Sequence, residues 1–83
     1  MADDERSTEM LRTAMNAIHQ QSATGLLPAF LAAIDAICDD VLARPVDAAW
    51  HRAASASKEI LRDHSEDVKA EWIAAYAELP PMQ

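Results

Sequence analysis

Eighty-three residues make one domain, near the lower limit at which a chain buries enough apolar surface to fold without disulfides or metal. Hydrophobic residues are 51% of the chain, yet eighteen of them are Ala, and two Trp, one Tyr and one Phe are the only large rings, so the core is expected to be thin and self-association would help it. Fourteen acidic against seven basic side chains give a net charge of -7, which argues against phosphate backbones and anionic membranes as partners and suits a basic protein surface.

Ala is the best helix former, Gly occurs once, and β-branched residues are few, with Val three times, Ile five and Thr three. All four Pro fall where helices start or stop. The composition therefore predicts an all-α chain, a small bundle of three to four helices spanning residues 1–83, with 1–6 and 80–83 as frayed tails. Cys38 is the only cysteine, so no intramolecular disulfide forms, and a reducing cytoplasm is the expected compartment. The start Met1-Ala2-Asp3-Asp4-Glu5 is the opposite of a basic signal-peptide start, and no apolar run approaches the ~20 residues that span a bilayer.

In the first helix Met10, Leu11, Ala14, Met15 and Ile18 recur at helical spacing after Ser7 and Thr8, which offer N-cap oxygens. Glu9, Arg12, Asn16, His19 and Gln20 cover the other side. Gly25 suits the left-handed residue that closes a helix.

The second helix is predicted from Pro28 to Ala43 or Arg44, before Pro45. Its apolar stripe runs through Leu26, Leu27, Phe30, Leu31, Ile34, Ile37, Cys38, Val41 and Leu42, with Ala29, Ala32, Ala33 and Ala36 behind it. That pattern reads as the central helix of the bundle, packed on more than one side.

From Val46 to Leu79 there is neither Gly nor Pro, and apolar residues keep helical spacing throughout. One helix of this length would run roughly 50 Å. Asp63, His64 and Ser65 are three mediocre helix formers in a row, and Ser65 before Glu66 and Asp67 resembles an N-cap with acids in the first turn, which favours a break near 63–65.

No catalytic, cofactor-binding or metal-binding motif stands out. The three histidines form no His-x-x-x-His, and the pairs Asp47/His51 and His64/Asp67 are of the kind that share a helix face by chance. His64 projects from the apolar side of its segment, where burial would oppose its charging. Cys38 lies in an apolar stripe, where a thiol behaves as a small hydrophobe, and a single Gly allows no phosphate-cradling loop.

Two surfaces remain as binding candidates. On a continuous helix, Glu59, Asp63, Asp67 and Glu71 fall four residues apart and form an acidic ridge, offset in part by Lys58, Arg62 and Lys69. Like charges at that spacing cost about 0.2–0.5 kcal/mol per pair in an isolated helix, with no return from the ridge itself. Trp72 and Tyr76 share a face, and with Trp50 they are the expected interface anchors if the chain pairs with another protein or forms a homodimer. The functional expectation is a non-enzymatic, cytoplasmic inhibitor or adaptor of bacterial or phage type. It would bind a larger basic protein and neither nucleic acid nor membrane; the alternative is a self-assembling structural subunit.

Overall fold

A computed structural model of the chain describes residues 2–21, 27–63 and 65–80. It is an all-α bundle of four helices: α1 (Ala2–Gln21), α2 (Pro28–Leu42), α3 (Ala48–Arg62) and α4 (Glu66–Ala77). The radius of gyration, 11.7 Å, matches the roughly 12 Å of a compact chain of this length, so a core built largely from small residues still closes.

Local chemistry accounts for most of the boundaries. Pro28 occupies the first turn of α2, after Leu27 in an extended conformation, and Pro45 follows its end. The long segment 46–79 is broken, as the run Asp63-His64-Ser65 suggests. Ser65 caps α4, its Oγ accepting the Val68 N–H at 3.4 Å, and Glu66 and Asp67 place negative charge on the first turn. Asp63 ends α3 in an extended conformation, φ -136° and ψ 119°, and its Oδ1 accepts the Ser65 N–H at 3.0 Å. His64 and Gly25 lie outside the described residues.

α1 begins earlier than its capping residues predict. Residues 2–6, expected as a tail, are helical, and Asp3, Asp4 and Glu5 supply the acidic first turn. Neither hydroxyl acts as a cap: Thr8 Oγ1 donates back to the Glu5 carbonyl at 2.9 Å, and buried Ser7 donates to the Asp40 carboxylate on α2. Asp4 Oδ1 also receives Arg44 Nη1 at 2.9 Å, so the extra turns of α1 are held by α2.

The central helix is α3, not α2. α3 packs against α2, α4 and α1, while α2 packs against α1 and α3. Ala29, Ala32, Ala33 and Ala36, placed in the interior by the expectation above, face outward and are exposed. The difference is one of size. α3 buries Ala53, Ala54 and Ser57, a face small enough for neighbouring helices to approach closely, and Ile34, Cys38 and Val41 of α2 pack on it from one side. Leu11, Met15 and Ile18 of α1 and Trp72 of α4 complete the core.

Trp72 is the largest fully buried side chain, and its indole Nε1–H donates to Ser57 Oγ at 3.0 Å. This bond joins α4 to α3 through two buried polar groups that have no water to turn to. Ser57→Ala leaves the indole N–H without an acceptor and is expected to cost about 1–3 kcal/mol, whereas Ser55→Ala, on an exposed position, is expected to be near neutral. Urea titrations of the two variants check the contrast.

The α1–α2 contact is pH-dependent. The Arg44 guanidinium, then the Ser7 hydroxyl, hold the Asp40 carboxyl below its usual range. A carboxylate whose folded value is depressed contributes stability that is present above its unfolded value, near 3.9, and is lost as pH falls through the lower folded value. Asp40→Asn is therefore expected to lower the melting temperature at neutral pH and to flatten its decline on acidification below about pH 4. Thermal melts across that range measure it.

Candidate functional site

The hairpin of α3 and α4 carries all four residues of the expected acidic ridge, but not as a ridge. The break at 63–65 interrupts the four-residue register, so Glu59 stands on α3, Asp63 on the junction, and Asp67 and Glu71 on α4. All four are exposed. The physical reason lies in the sequence itself: a continuous helix stacks like charges turn upon turn, whereas the break lets Asp63 accept from Ser65 and Asp67 face the positive end of α4.

Folding back brings two of them together from different helices. Glu59 and Glu71 line the same open groove of about 390 Å³ along the α3–α4 seam. Its floor is Ser55, Ala56, Ala74 and Ala75, none longer than three heavy atoms beyond the backbone nitrogen and carbonyl. At the far end stand Arg52 and Glu78, paired with each other at 3.3 Å. Glu59 and Glu71, nearer the turn, make no ion pair among the described residues. The groove was missed in the sequence because it needs the antiparallel pairing of α3 with α4; the alternation of small residues with Glu on both segments was its only trace.

The aromatic residues are placed otherwise than an interface requires. Trp72, expected as an anchor for a partner, is 2% exposed and belongs to the core. Tyr76 is half-buried, stacked on Trp72 with ring centroids 5.3 Å apart, 5.7 Å from His19 and donating to Asn16 Oδ1 at 3.4 Å. Trp50 is half-buried beneath the Arg12 guanidinium, 5.2 Å from its ring centroid, and Arg12 also donates to the Pro80 carbonyl. Tyr76 and Trp50 thus fasten α1 to the hairpin. The exposed large apolar residues are instead Met10, Leu27, Phe30, Leu42 and Ile73. Phe30 and Leu42 sit at the edges of an α2 stripe wider than two neighbouring helices can cover.

Among the described residues no three His, Cys, Asp or Glu side chains converge as a metal set would. His51 donates its Nε2–H to the Arg44 carbonyl at 2.8 Å, closing the α2–α3 turn, and exposed Asp47 precedes α3 with no capping bond from its side chain. Among the described residues no helix is long and apolar enough to cross a membrane. Cys38 is fully buried. Burial pushes its thiol up to about 12, with the negative charge of Asp35 adding to the effect and Lys58 opposing it. A nucleophilic or redox role requires the thiolate, which this site disfavours. In the native protein Cys38 is expected to resist iodoacetamide at pH 8 and to react fully once unfolded in guanidinium; mass spectrometry of the two samples gives the readout.

No protein-family model matches the chain, and no match was found among curated proteins or solved structures.

Proposed function

We propose that this chain is a non-enzymatic binding protein of the cytoplasm, an inhibitor or adaptor that covers a basic surface of a larger protein through its α3–α4 hairpin. The observation that carries the reading is the partition of its acids. Asp35, Asp39 and Asp40, all the acids of α2, are each in an ion pair, the first two sharing Lys58 and the third with Arg44, which also pairs with Asp4. On the hairpin, Glu59, Asp63, Glu66, Asp67 and Glu71 are exposed and make no ion pair among the described residues, with Arg62 and Lys69 the only cations between Glu59 and Glu71.

Unpaired acids thus gather around the hairpin turn, in contrast to those of α2; Asp3, Glu5 and Glu9 of α1 are exposed and outside the ion pairs as well. The acids of the hairpin set up a negative field on one part of the surface, which raises the encounter rate with a basic partner and repels acidic ones. Such attraction acts over roughly 8 Å at physiological ionic strength and weakens as salt rises. A second reading, a self-assembling subunit, is favoured by Leu27 just before α2 and Phe30 in its first turn, 75% and 46% exposed.

The test is capture of partners from a lysate of the source cells, eluted by a salt gradient. A basic protein that leaves at moderate salt and is not retained by the double variant Asp63→Lys/Asp67→Lys is the expected result, with circular dichroism showing that the variant keeps its helices. Recovery of the bait alone, sedimenting as a stable oligomer, overturns the reading in favour of self-assembly.

A further inference from the structure

From the shape and charge of the α3–α4 groove, we infer that it seats one amphipathic helix of the partner, carrying a Lys or Arg between Glu59 and Glu71 and bulky apolar side chains over Ala56 and Ala74. This rests on the reading that the hairpin binds a basic protein, and it names the element bound and the place where it lies.

Three features of the groove select this occupant. First, its walls are helices whose backbone groups are paired within themselves, so the groove offers no ladder of donors and acceptors. An extended peptide laid there would lose water from its own N–H and C=O groups without replacement, whereas a helix arrives with those groups already bonded. Second, the floor is made of Ser and Ala, which leaves room for large side chains from the other partner; small residues facing large ones is how packed helices interdigitate.

Third, the charge is asymmetric along the groove. Arg52 and Glu78 close one end as a neutral pair, while Glu59 and Glu71 flank the other as two acids with no cation paired to them among the described residues. One ammonium or guanidinium placed between the two carboxylates gains an attraction to each. The occupant is therefore oriented, its basic residue at the turn end of the hairpin. From Arg52 to Glu59 along α3 is roughly 10 Å, about two helical turns, so two apolar side chains at i and i+4 and one flanking cation fill the site.

The probe is a synthetic amphipathic helix of about fifteen residues, with two Leu at i, i+4 and an Arg one turn beyond, titrated into the full chain and followed by amide chemical shifts. A control peptide carries Glu in place of Arg. The expected result is that the Arg peptide shifts amides lining the groove, that Ala74→Leu, which fills the groove from an exposed position, weakens binding about tenfold or more, and that Glu9→Lys, at an exposed acid of α1 that does not line it, changes affinity by less than about threefold.

Equal weakening by Glu9→Lys and Glu71→Lys, with no effect of Ala74→Leu, shows attraction by diffuse charge; the groove proposal then fails while the basic-partner reading stands. No binding of the peptide by a chain that still captures its salt-released partner has the same meaning. Shifts centred on Met10 and Phe30 move the docking face to α1–α2 and overturn the proposal. Failure of both the peptide titration and the partner capture removes the two readings together.

Discussion

The bundle depends on the close approach that α3 allows. Ala53, Ala54 and Ser57 present almost no side-chain bulk beside the larger Ile60, so α2 and α4 both pack on α3 and the indole of Trp72 reaches Ser57 Oγ. A larger residue at any of these positions holds the neighbours apart and strands the indole N–H. In a chain with few large apolar residues, the arrangement concentrates burial in one ring and uses small side chains to bring everything else to it. The polar bond at its centre fixes the rotation of α4 on α3, which packing of alanines by itself specifies poorly.

The sequence was legible wherever the determinant was local. Pro28, Pro45 and the Ser65-Glu66-Asp67 cap mark helix ends by chemistry confined to a few residues; they left three or four helices open and favoured the break that makes four. The start of α1 was not legible, because Ser7 and Asp4 are engaged by Asp40 and Arg44, 33 and 40 residues further along the chain. Nor was the identity of the central helix. A helical wheel gives the width of an apolar face, and α2 has the widest; what decides centrality is how near neighbours can come, a property of the small residues on α3.

The candidate site shows the same division. Glu59 and Glu71 were singled out for their spacing on a continuous helix, yet it is the reversal of chain direction that sets them on opposite walls of one groove. Trp50, Trp72 and Tyr76 looked surplus to a thin bundle, and they are absorbed because α1 lies across the hairpin: Arg12 covers Trp50, and His19 and Asn16 reach Tyr76. Charge follows two uses that composition cannot separate. Asp4, Asp35, Asp39 and Asp40 take part in partly exposed ion pairs, while the acids around the turn between α3 and α4 make no ion pair among the described residues.

That the largest core residue belongs to the shortest helix has a consequence for the order of events on the ribosome. α1, α2 and α3 are all synthesised before residue 72, and until then Ser57 lacks its donor and the core lacks its largest side chain. Helices as short as α2 and α3 are marginal in water until they pack. A nascent chain ending anywhere between the end of α3 and Trp72 is therefore helical in pattern and still without the residue around which its core is completed.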